Sequence, residues 1–177
     1  MIRIVLVAAC LAAGLTLAMT SAGAAPGGTV PVAGSGPELS FTGTLTVTGF
    51  TEVDKQLSLE GTLNGPLTST GGVTVDLSDL PVQLPLERVT PTCEPPQVAV
   101  VTEATPVPIL GFDPVTLDSL ALRRVVDPAD TALADQVCQA AADLQGHGKI
   151  KGRRLSDAVD ALNALGGIWE VDAPPAG

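Results

Sequence analysis

Aromatic side chains are nearly missing from this 177-residue sequence: Phe41, Phe50, Phe112 and Trp169 are all it has, and tyrosine is absent. Stacking on ring faces is how single-stranded nucleic acid and many sugars are held, so both modes are disfavoured. Basic side chains are scarce too, 9 against 19 acidic ones, and a net charge of −10 repels polyanions. Nucleic acid is therefore an unsuitable partner. The only histidine is His147, in Gly146-His147-Gly148, which reads as a solvated loop and leaves no base for a serine or cysteine nucleophile. No G-x-S-x-G seats such a serine, and Gly71-Gly72 lacks the Lys-Ser or Lys-Thr of a phosphate cradle. Asp76 with Asp79, and Asp113 with Asp118, read as solvated turn carboxylates, because no loop places oxygen ligands at alternating positions as calcium sites do. These absences predict a non-enzymatic protein without cofactor or metal.

Aliphatic residues, glycine and proline are abundant. Hydrophobic residues make up 45% of the chain, too many for wholesale disorder, while 19 glycines and 15 prolines forbid a mainly helical bundle. A turn-rich, acidic β domain is what remains.

The first 24 residues read as a secretory signal peptide. Arg3 supplies the positive start, Ile4 to Leu17 the apolar stretch, and Ala22-Gly23-Ala24 a small-residue site with cleavage before Ala25. The stretch is broken by Gly14 and Thr16 and falls short of the ~20 apolar residues that span a bilayer, so no stable membrane span is expected after its removal. A lipoprotein site at Val7-Ala8-Ala9-Cys10 is the competing reading, but it would leave the apolar stretch behind the cut. The mature chain then keeps two cysteines, Cys93 and Cys138. In an exported protein an isolated pair predicts one disulfide.

Residues 25–37, rich in Gly, Pro and Ala, read as a flexible leader. From Glu38 the pattern alternates: Leu39, Phe41, Leu45 and Val47 take one parity, while Ser40, Thr42, Thr44, Thr46 and Thr48 take the other. That is a half-buried strand with a hydroxyl face. Leu57, Leu59 and Leu63 give a second strand and hence an antiparallel hairpin. Asn64-Gly65-Pro66 and Thr70-Gly71-Gly72 mark breaks. A further strand from Val73 to Leu86 carries Pro81 and Pro85 on its outward parity, which places it at a sheet edge. Val98 to Thr102, Val107 to Ile109, Val115 to Leu117 and Leu120 to Val125 are shorter candidates. At Asp127 the period becomes helical, with Asp127-Pro128 as cap and first position and Leu133, Val137, Ala140, Ala141 and Leu144 on one face. A second helix runs from about Leu155 to Leu165 and stops at Gly166-Gly167. The expected fold is mainly β: an antiparallel β-sandwich or partly open barrel over residues 38–171, with two short C-terminal helices, one disulfide and a disordered tail at 172–177.

Phe41-Thr42-Gly43-Thr44-Leu45, the stretch Gly61 to Thr68, Cys93, Leu110-Gly111 and Cys138 together resemble a group of small secreted bacterial β-rich proteins with two cysteines in the mature chain. The resemblance covers about Leu39 to Leu144 and implies export, the sheet topology and the Cys93–Cys138 bridge. It implies no activity. The sequence departs from the group at Asp135-Gln136-Val137, where the group is leucine-rich, and in the basic segment that follows.

That segment, Lys149-Ile150-Lys151-Gly152-Arg153-Arg154, is the one charge anomaly in an acidic chain. Lys149, Lys151, Arg153 and Arg154 are the candidate contacts for an anionic cell-envelope polymer; a hydrated linker between helices explains them more simply. The aliphatic strand faces suggest a second class of function, a carrier enclosing a small apolar ligand in the sheet. The expectation is thus a secreted, envelope-associated binding or structural module, with the lipid-like carrier as alternative.

Overall fold

The computed structural model describes residues 27–127, 129–144 and 153–172, with backbone only at 140–144 and 153–154. The expected signal peptide lies outside them. Nine strands and two helices follow in the order β1 (Thr29–Ser35), β2 (Leu39–Val53), β3 (Gln56–Ser69), β4 (Thr74–Cys93), β5 (Pro96–Thr102), β6 (Thr105–Val107), β7 (Val115–Leu117), β8 (Ala121–Val125), α1 (Thr131–Leu144), α2 (Arg153–Ala164) and β9 (Glu170–Val171). The strands form one sheet, ordered β6-β7-β1-β2-β3-β4-β5-β8-β9, with antiparallel ladders throughout. It curls into a half-barrel around the core.

The alternating segment at Leu39 forms as expected. Leu39, Phe41, Leu45 and Val47 are buried in β2, the threonines between them face out, and β3 pairs beside it with Leu45 opposite Leu63 and Thr46 opposite Thr62. The inward rows continue into β4, where Leu84 meets Leu59 and Val82 meets Gly61.

The leader expected over 25–37 is corrected. Its Thr29–Ser35 portion is β1, antiparallel to β2 with Val30 opposite Leu45 and buried. The period-2 signal of Val30, Val32 and Gly34 is present but short, and Pro31 masks it. A proline is tolerated there because the far side of β1 meets β7 only at Gly34 and Ser35.

The break expected at Asn64-Gly65-Pro66 is a bulge within β3, with the register shifting between Leu63 and Gly65. Gly65 has φ 141°, and a Cβ there would stand 2.7 Å from Gly43 Cα, so only glycine permits this approach of β3 to β2. Asn64 repairs the irregularity by accepting a hydrogen bond from Asp79 N at 2.9 Å. Pro81 and Pro85 lie where expected: β4 pairs with β3 up to Pro85 and takes up β5 only from Leu86, so its first half has one ladder neighbour.

At the other flank, Gly27 N donates to Gly167 O (2.8 Å), Trp169 N donates to Gly27 O (3.0 Å), and Val47 N donates to Gly28 O (2.9 Å). Residues 27–28 thus stitch the end of the chain to β2. Trp169 is buried against Phe50, ring centroids 5.1 Å apart. The tail expected from 172 is ordered at its first residue, where Asp172 N donates to Ala121 O; 173–177 lie outside the described residues.

Helix α1 begins later than expected. Asp127 folds a turn, accepting from Ala129 N through its carboxylate, and Asp130 is the cap, accepting from Leu133 N at 3.3 Å. The helix packs against β4 and β5, with Val137 buried, and the Cys93–Cys138 disulfide ties it there, Cα atoms 4.9 Å apart. Helix α2 packs against β2 and β3, with Leu155 and Leu162 buried.

Candidate functional site

Burial falls away along one row of the sheet. Phe41, Leu67 and Val75 are neighbours across β2, β3 and β4 and share the inner face. Phe41 and Leu67 are buried, yet Val75 is 37% exposed, and Val73, just before β4, is 63% exposed. The inner face of the half-barrel therefore comes to the surface beside the unpaired half of β4.

The β6–β7 connection stands over the same end. Phe112 N donates to Ile109 O at 3.0 Å, and Gly111 has φ 84°, the pattern of a type II turn with Leu110 and Gly111 at its centre. Ile109 is buried and anchors the turn, which leaves Leu110 100% exposed and Phe112 42% exposed. A recess of about 450 Å³ separates this turn from the β3–β4 hairpin, lined by Glu38, Leu39, Ser69, Gly111, Phe112 and Asp113. Single exposed aliphatic residues are ordinary, but two apolar residues held on a short turn beside a recess make this lip the candidate contact site.

The signal for this lip was in the sequence. Three apolar residues crowd the proline-bounded turn from Pro108 to Pro114, where turn chemistry favours polar ones. In the sequence, Leu110-Gly111 stands out only as part of the resemblance to small secreted β-rich proteins.

The sequence-predicted site residues fall elsewhere. Cys93 and Cys138 form their disulfide at the β4–β5 end of the sheet, a structural tie with no free thiol. Lys149 and Lys151 lie outside the described residues, as does His147. Arg153 and Arg154 open α2. Asp76, Asp79, Asp113 and Asp118 are exposed, and among the described residues no group of three or more potential ligands could hold a metal ion.

Two further hollows offer less. A trough of about 480 Å³ on the outer face is lined by Thr48, Glu60, Thr62, Pro81 and Gln83, where Gln83 Nε2 donates to Glu60 Oε1 and the two satisfy each other. Between the helices and the sheet, Val98, Val137, Leu162 and Leu165 enclose about 20 Å³, room for a single water.

No protein-family model, no curated protein and no solved structure matches the chain.

Proposed function

We propose that this protein is an exported, non-enzymatic binding module of the cell envelope that acts through its surface, with the lip at Leu110 and Phe112 as its contact point. The observation that carries the reading is Leu110, held wholly in solvent by a turn whose neighbour Ile109 is buried. Covering a Leu or Phe side chain contributes ~1.5–3 kcal/mol, so a folded chain that leaves one uncovered retains that energy for an encounter. The curled sheet is read as a partly open barrel, stitched shut at Gly27 and Trp169 and open along the first half of β4. Lys149, Lys151, Arg153 and Arg154 remain the proposed contacts for anionic wall polymer, and the disulfide fits an extracytoplasmic setting.

Retention of the disulfide-bonded protein on isolated cell envelopes tests this reading. Leu110→Ser with Phe112→Ser should lower retention about fivefold or more, and replacing the four basic residues by alanine should remove its salt-sensitive part. Retention unchanged in both variants defeats the reading. The carrier alternative draws on the uncovered inner-face residues Val73 and Val75; it requires a lipid-like molecule to be released when the purified protein is extracted and analysed by mass spectrometry.

A further inference from the structure

The lip does not stand in neutral surroundings. Glu38 and Asp113 line the same recess as Phe112, and no basic side chain is among its lining residues. An occupant that covers Phe112 also takes these two carboxylates partly out of water, which is unfavourable unless it brings opposite charge. A neutral lipid-like molecule brings none. A bilayer with anionic headgroups is repelled by the same carboxylates, and a flat surface leaves the recess unfilled. The recess, about 450 Å³, suits a few side chains.

We infer that the recess beside Phe112 docks a cationic aliphatic segment of another polypeptide, one in which a Lys or Arg pairs with Glu38 and Asp113 while a neighbouring aliphatic side chain packs on Leu110 and Phe112. This rests on the reading of the lip as a contact point and adds the chemistry of the partner. The carboxylates set orientation and encounter rate, and the apolar contact supplies most of the affinity.

The test is fluorescence anisotropy of a fluorescein-labelled peptide of alternating Arg and Leu, titrated with the disulfide-bonded protein. Any cationic peptide is drawn to a chain of charge −10, so the comparison between variants decides. Leu110→Ser with Phe112→Ser, and separately Glu38→Lys with Asp113→Lys, should each weaken binding about tenfold or more. The charge-matched control, Glu52→Lys with Glu87→Lys, should change it less than about threefold. Circular dichroism confirms that each variant folds. Equal losses in the control and the Glu38/Asp113 variant, or binding indifferent to Leu110 and Phe112, overturn the inference. So does capture by phosphatidylcholine or phosphatidylglycerol vesicles through Leu110 and Phe112 without peptide binding, which assigns the lip to a membrane. If envelope retention needs Leu110 and Phe112 while peptide binding does not, the partner chemistry falls and the contact reading stands. If peptide binding needs them and retention does not, the reverse holds.

Discussion

Asn163 holds helix α2 to the sheet by imitating a strand, and replacing it should be far more damaging than its half-buried position suggests. Strand β1 pairs with β2 only from Ser40 to Thr46, so beyond Val47 that edge of β2 has no ladder partner. Phe50 lies in this gap, and Asn163 fills it: Phe50 N donates to Asn163 Oδ1 at 2.8 Å, and Asn163 Nδ2 donates to Phe50 O at 2.9 Å. Asn163→Ala orphans one backbone donor and one acceptor on a buried residue. An orphaned group costs ~1–3 kcal/mol, and because the site is only part-buried the low end, about 1–1.5 kcal/mol each, applies, giving about 2–3 kcal/mol for the pair. For a domain of this size the melting midpoint should fall by roughly 5–10 °C. Asn163→Asp should lose at least as much at neutral pH, since a carboxylate oxygen then faces Phe50 O. A protonated carboxyl donates again, so its folded-state pKa should lie above the unfolded value and acid should recover part of the loss. Urea denaturation followed by circular dichroism reads these differences. If Asn163→Ala unfolds within about 0.5 kcal/mol of the parent, the two hydrogen bonds contribute nothing net and the docking argument for α2 is wrong.

Cys138→Ala should destabilise by up to about 4 kcal/mol, the chain-entropy value for the sequence separation of 45; reductant should bring the parent to the variant's denaturation midpoint and leave the variant unmoved. Gly65→Ala should cost over ~2 kcal/mol, because the new Cβ meets the backbone of Gly43 as well as an unfavourable φ. Gly72→Ala, with positive φ but open space around it, should cost only ~1 kcal/mol by the same measurement. Leu110→Ser alone should leave stability within about 0.5 kcal/mol of the parent, because Leu110 is fully exposed, while lowering binding of a hydrophobic dye; a large loss of stability would mean that Leu110 packs against the fold.

The β2–β3 hairpin was legible because alternation is a local property: the parity that carries Leu39, Phe41, Leu45 and Val47 is buried and the threonine parity is not. The disulfide and both helices were legible too, the helices with α1's start misplaced because Asp127 and Asp130 are equally good caps. Pro81 and Pro85 marked an unpaired edge, since a ring that cannot donate is tolerated only there. None of these needs knowledge of what lies across the fold.

What lies across the fold accounts for the rest. Strand β1 forms from a stretch that resembles a linker because the edge of β2 offers it a ladder. The Gly65 bulge replaces a chain break because Gly43 sits opposite and leaves room. Asn163 reaches Phe50 over a separation of 113 residues, and no local pattern singles it out from other helical asparagines. The apolar lip is of the same kind: Leu110 and Val75 look like core residues by type, and they lie at the surface because no described element covers that end of the half-barrel. Periodicity records which face of an element is apolar; which of those faces finds a neighbour depends on how the elements assemble.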